Sequence, residues 1–287
     1  LELGRYEEAV SSYDKVLAIN PRYANAYYDK GLALAKLGKD WEAIEAFEQA
    51  TTIDPKFVNA FFDQGLAFSR LSKNQEAISA FDRAIAVESS YSPAYFQKGL
   101  VLKTMRQYKE ALSAFSAALT LDSGNSEGWY NKGLVLTCLK RFDEAHQALE
   151  SSLELEDTHA EVWLLKGTVL SELERVSEAL EAFERTIALE PDNTIAWYRK
   201  GKAYIELGKS PEAIDSFDRV IRNDPSCSPA WLRKGSTLLS LSQYEPAVDA
   251  LTRALEIKPG SAYGWYDRAI ALLELGRYEE AVLSYDK

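Results

Sequence analysis

The chain has 287 residues, 46% hydrophobic and 27% charged, a globular balance that argues against a disordered chain. No apolar run approaches the roughly 18 residues that a membrane-crossing helix needs, and no charged-then-apolar signal segment opens the chain. With 33 basic and 44 acidic residues, the net charge of -11 repels phosphate backbones, so neither nucleic acid nor membrane is expected as a partner.

In chain order, the first element is half a repeat, residues 1–23, read as a second helix preceded by the end of a first one at Leu1. Seven full repeats follow over 24–261, and a truncated eighth over 262–287, all in a single array. The ruler is a glycine every 34 residues: Gly31, Gly65, Gly99, Gly133, Gly167, Gly201 and Gly235, with Ala269 in the eighth place. Four residues before each stands an aromatic, from Tyr27 and Phe61 through Tyr95 to Trp129, Trp163, Trp197, Trp231 and Trp265. Twelve residues after each comes an alanine, from Ala43 to Ala281, and four further on Phe47, Phe81, Phe115, Leu149, Phe183, Phe217, Leu251 or Tyr285.

Within each unit this spacing makes two apolar helical stripes, such as Trp129, Gly133 and Leu136, then Ala145, Leu149 and Ser152. Each unit is therefore two helices joined by a short polar turn, as at Leu37–Asp40. A glycine inside a helix costs about 1 kcal/mol relative to alanine, so seven would cost roughly 7 kcal/mol, as much as the net stability of a domain. They make sense where a partner helix approaches too closely for a side chain, with the aromatics filling the remaining gaps. The prolines agree with this phase. Pro21, Pro55, Pro191, Pro225 and Pro259 follow second helices, while Pro93, Pro229, Pro211 and Pro246 fall in first turns, where the missing N–H is tolerated.

This pattern, typified by Gly128–Glu156 (GWYNKGLVLTCLKRFDEAHQALESSLELE), resembles the tetratricopeptide repeat family over the whole chain. The family usually has leucine before the glycine, where this chain has Lys30, Lys98, Lys132, Lys166, Lys200 and Lys234; each stem can lie on the apolar seam with its ammonium in water. The resemblance implies an all-α, right-handed superhelical solenoid whose first helices line a concave groove. It implies a protein-interaction scaffold that holds an extended or helical segment of a protein or peptide ligand.

The expected groove residues lie one step after the packing aromatic: Tyr28, Phe62, Phe96, Tyr130, Tyr198 and Tyr266. Asn131, the one match to the family's backbone-clamping asparagines, is expected beside them. Arg199, Lys202 and Arg233 form a basic cluster, read either as a seat for an acidic partner segment or as surface charge balanced by Glu172 and Glu206.

No catalytic residues, metal ligands or cofactor site are expected. The two histidines, His146 and His159, join no nucleophile or metal constellation, and no glycine-rich phosphate loop follows a strand. Cys138 and Cys227 lie far apart, as reduced thiols in a cytoplasmic protein would.

Two other readings stay open. Leu1–Lys15 is nearly repeated at Leu273–Lys287 and neither end carries a polar capping helix, as in a piece of a longer array. Its ends, with Tyr6, Val10 and Tyr13 at one and Val282 and Tyr285 at the other, would then permit head-to-tail self-association. The array could equally be the recognition module of a larger enzyme, such as a glycosyltransferase that carries similar repeats.

Overall fold

A computed structural model describes residues 5–287; the end of a first helix expected at Leu1 lies outside the described residues. The described chain is all-α and divides into two compact units, Leu1–Leu155 and Glu156–Lys287.

In the first unit the helices are α1 (Tyr6–Ile19), α2 (Ala24–Lys36), α3 (Asp40–Ile53), α4 (Val58–Arg70), α5 (Asn74–Val87), α6 (Ser92–Thr104), α7 (Tyr108–Leu121), α8 (Ser126–Cys138) and α9 (Phe142–Leu155). The second unit holds α10 (Ala160–Glu172), α11 (Val176–Leu189), α12 (Thr194–Glu206), α13 (Ser210–Asn223), α14 (Ser228–Ser240), α15 (Tyr244–Ile257), α16 (Ala262–Glu274) and α17 (Tyr278–Tyr285). First helices are even-numbered and second helices odd-numbered from α2 to α17, and each kind starts 34 residues after the last.

Each pair is held by a socket. A Cβ built on Gly31 would stand 2.5 Å from the ring of Phe47, and Gly65, Gly99, Gly167 and Gly201 meet Phe81, Phe115, Phe183 and Phe217 in the same way at 2.5–2.7 Å. Gly133 and Gly235 accept Leu149 and Leu251 instead. All seven of these plugs are fully buried, and the alanines one turn before them, such as Ala43 and Ala111, are sealed with them. The glycine penalty is thus offset by close helix contact around a fully buried ring or leucine.

Each turn from first to second helix passes through one left-handed residue. Gly38, Gly208 and Gly276 supply it at φ 71–74°, whereas Ser72, Arg106, Lys140, Glu174 and Ser242 adopt φ 57–58° with a side chain present. The following amide closes the helix end, as Lys39 N–H does to the Leu34 carbonyl at 3.0 Å and Gln107 N–H to Leu102 at 2.9 Å.

Consecutive repeats are tied at two points that sequence spacing misread. The tryptophans are only half-buried. Each donates its indole N–H to the carbonyl six residues earlier, in the preceding inter-repeat turn: Trp129 to Ser123, Trp163 to Asp157, Trp197 to Pro191, Trp231 to Pro225 and Trp265 to Pro259, at 2.8–3.0 Å. They fasten turns as well as packing against the core, as Trp163 and Trp231 do. Nor do the lysines before the glycines simply hold their ammonium groups in water. Lys30, Lys98 and Lys234 pair with Asp14, Asp82 and Asp218 at 2.6 Å, and Lys200 with Glu184 at 2.9 Å, always on the preceding second helix.

Two outcomes follow. Gly99→Ala should lower stability by about 1–3 kcal/mol through overpacking against Phe115, although alanine is the better helix former; denaturant unfolding would reveal the sign. Arg106→Gly should raise it by roughly 0.5–1 kcal/mol by relieving a left-handed non-glycine residue, seen as a higher melting temperature.

Candidate functional site

First helices of consecutive repeats approach one another, α2 to α4, α4 to α6 and α6 to α8 in the first unit, and α10 to α12 and α14 to α16 in the second. Consecutive second helices do not come as close. Within each unit the first helices therefore form an inner face.

In the first unit this face is largely satisfied by its own side chains. Tyr28 leans on Phe47 with ring centroids 5.8 Å apart and on Phe57 at 4.8 Å; Phe62 leans on Phe81 at 5.8 Å and on Tyr91 at 5.4 Å. Phe96 is buried against Phe115, and Tyr130 is half-buried. The rings that plug the glycine sockets thus also support the inner-face aromatics.

Phe57 and Tyr91 were not anticipated, although both precede a first helix at one repeat position. Later repeats place a capping residue there: Asn125, Asn193 and Ser261 accept from the backbone N–H of Gly128, Ala196 and Gly264 at 2.7, 2.9 and 3.2 Å. This position thus serves aromatic packing in two repeats and helix capping in three, while His159 and Cys227 stand there without a side-chain cap bond.

The polar position next to the aromatic is an acceptor for the preceding repeat. Tyr28 donates its hydroxyl to Asp63 at 2.7 Å, and Ser236 donates to Asp267 in the second unit. Burial pushes the Asp63 carboxyl above its ordinary range, against the opposing pull of Tyr28, Arg70 and Lys36. Burial, then the bond to Asp63, raise the Tyr28 hydroxyl. Asn131 lies deeper than a clamp asparagine would, at 2% exposure: its amide donates to the Glu127 carbonyl at 2.9 Å and its oxygen accepts from Lys103 at 2.5 Å. In this arrangement it orders α6 against α8.

The second unit differs. Arg199 and Arg233 occupy the acceptor position and offer donors instead. Arg199 and Lys202 line a cleft of 260 Å³ with Ser171, Glu172, Glu174 and Glu206. None of Arg199, Lys202 and Arg233 makes a direct ion pair among the described residues. α12 and α14, which carry the three, approach each other less closely than the other consecutive first helices of this unit. Ile195, one turn before Arg199 on α12, is exposed at 57%, and Tyr198 is half-buried on Phe217; on α16, Tyr263 and Tyr266 are exposed.

Among the described residues no group of His, Cys, Asp and Glu is placed to hold a metal ion, and no helix is long and apolar enough to cross a membrane. Stacked helix pairs whose first helices face one side within each unit define a helical-repeat scaffold for protein interaction. The chain belongs to the tetratricopeptide repeat family: models of that repeat match residues 1–38, 24–57, 164–228 and 230–287, and a model described as anaphase-promoting complex, cyclosome, subunit 3 matches 104–186.

Among solved structures, YrrB, described as a TPR protein with an unusual peptide-binding site, is 26% identical. That match covers 65% of this chain and 96% of YrrB, with a TM-score of 0.62. MamA is 24% identical over 56% of this chain and 94% of its own, with a TM-score of 0.55. A tetratricopeptide repeat protein from Parabacteroides merdae is 16% identical over 87% and 98%, with a TM-score of 0.58. The last two share the fold. No curated protein sequence matches the chain.

The raised Asp63 carboxyl has a defined sign in stability. The folded state prefers the protonated acid, so its contribution is present at low pH and is lost as pH rises from the ordinary value of 3.8 through the higher native one. Asp63→Asn should therefore gain stability relative to the parent chain across that window. Parallel melting curves of the two proteins from about pH 3.5 to 7 would contradict this.

Proposed function

We propose that the chain binds an extended or helical segment of a partner protein along the first-helix face. In this reading Tyr28, Phe62, Phe96, Tyr130, Tyr198 and Tyr266 provide aromatic anchoring, and Arg199, Lys202 and Arg233 set register against acidic side chains of the ligand. Asn131 contributes by positioning, through Lys103 and the α8 backbone.

One observation carries the reading. On the second unit's first helices, Arg199, Lys202 and Arg233 make no direct ion pair among the described residues, and Ile195, one turn before Arg199 on α12, is exposed at 57%, a mixture suited to a ligand that is both apolar and anionic. The peptide-binding site named for YrrB supports a peptide ligand for a related repeat stack. Anchoring aromatics surrounded by polar groups are also the usual anatomy of peptide recognition. The role is binding rather than catalysis.

The test is a peptide array of acidic, neutral and basic sequences, read with the parent chain and with the double variant Arg199→Glu, Arg233→Glu. Acidic peptides should dominate binding to the parent and lose about tenfold or more in affinity with the variant, equivalent to roughly 1.4 kcal/mol or more. Neutral peptides should change little. Equal affinity of both proteins for every acidic peptide would reject the register role. Binding that survives Tyr198→Ala with Tyr266→Ala in full would reject the face itself.

A further inference from the structure

Two clefts in the first unit lie apart from the inner face, each between consecutive second helices with a first helix as its floor. One, of 460 Å³, sits among α1, α2 and α3 and is lined by Tyr27, Lys30, Leu34 and Gln49, with Val10 at its side. The other, of 550 Å³, sits among α5, α6 and α7 and is lined by the counterparts Tyr95, Lys98, Leu102 and Ala117, with Ile78 in the place of Val10. The two are one site repeated 68 residues apart.

We propose that these clefts receive aromatic side chains, indoles above all, from a basic segment of a partner protein. The chain itself shows how such residues hold an indole. Where the cleft position holds tryptophan instead of tyrosine, the indole lies between the counterparts of the cleft-lining residues. Trp163 stands under Lys166 at 5.3 Å and Arg185 at 5.4 Å, and Trp197 under Lys200 at 5.3 Å and Arg219 at 5.7 Å. Those lysines and arginines correspond to Lys30 and Gln49 in one cleft and to Lys98 and Ala117 in the other. Where tyrosine stands in place of tryptophan and Gln49 or Ala117 in place of arginine, a cleft lies beside the Tyr27 or Tyr95 ring. Neither Tyr27 nor Tyr95 supplies the bond that the indoles make to the turn carbonyl six residues earlier, here Pro21 and Ser89.

The lysines are ready to stack without breaking other contacts. Lys200 and Lys234 hold an ion pair and cover an indole at once, at 2.9 Å to Glu184 and 5.3 Å to Trp197, and at 2.6 Å to Asp218 and 5.7 Å to Trp231. Lys30 and Lys98 already have the first half of this arrangement, with Asp14 and Asp82. Since those pairs neutralise the lysines, the remaining rim charge is negative, from Glu42, Glu45 and Glu48 in the first cleft and Glu110 in the second. A ring flanked by basic residues complements both the shape and the charge.

The probe is the tripeptide Lys-Trp-Lys, titrated into the whole chain and followed by backbone amide shifts. Saturable shifts are expected at Leu34, Ala46, Leu102 and Ala114, and Lys-Ala-Lys should give none there. Tyr27→Trp with Tyr95→Trp refills the clefts from within and should weaken binding about tenfold or more while circular dichroism stays unchanged. Should that variant lose helix content, Gln49→Arg with Ala117→Arg, which restores the arginine found beside Trp163 and Trp197, is expected to weaken binding in the same way. The proposal fails if the four amides do not saturate, if Lys-Ala-Lys matches the tryptophan peptide, or if the folded refilled variant keeps parent affinity. Arg199→Glu with Arg233→Glu should leave this titration unchanged, so it is read independently of the inner-face function.

Discussion

The contact between a side-chain-free helix position and a fully buried ring or leucine is what the other features depend on. Because Gly31 has no Cβ, Phe47 enters the space a methyl group would take, and its other edge supports Tyr28 on the inner face. The same linkage runs from Gly65 through Phe81 to Phe62, and from Gly201 through Phe217 to Tyr198. Core packing and surface presentation are therefore one mechanism. A ring displaced from its socket would also move the aromatic above it.

Around that constant contact the repeats vary in how they use their remaining polar groups. Early repeats close the inner face with Phe57, Tyr91 and the Tyr28–Asp63 bond, and leave the opposite clefts at Tyr27 and Tyr95 open. Later repeats cap their helices with Asn193 and Ser261, cover the cleft position with Trp197 and Trp265, and leave Arg199 half-buried in a cleft and Arg233 exposed. One scaffold thus presents two chemically different surfaces. The division follows from which residue occupies three repeat positions, since the backbone pattern is the same throughout.

Sequence alone determined the helix pairs, their 34-residue step and the glycines where a partner helix comes close, because periodic burial writes itself into every repeat; that the facing group is the Phe or Leu sixteen residues on was decided by the structure. It also put Arg199 and Arg233 at one repeat position, 34 residues apart, with Lys202 about one helical turn after Arg199. What tertiary structure decided was which neighbour each polar group finds. The lysines reach carboxylates on the preceding second helix, the tryptophans bond to a turn carbonyl while packing on the core, and Asn131 turns inward to Lys103. Each of these depends on the distance between adjacent pairs, which no spacing along the chain encodes. Burial is periodic and legible, whereas partnership is set by contact across the stack.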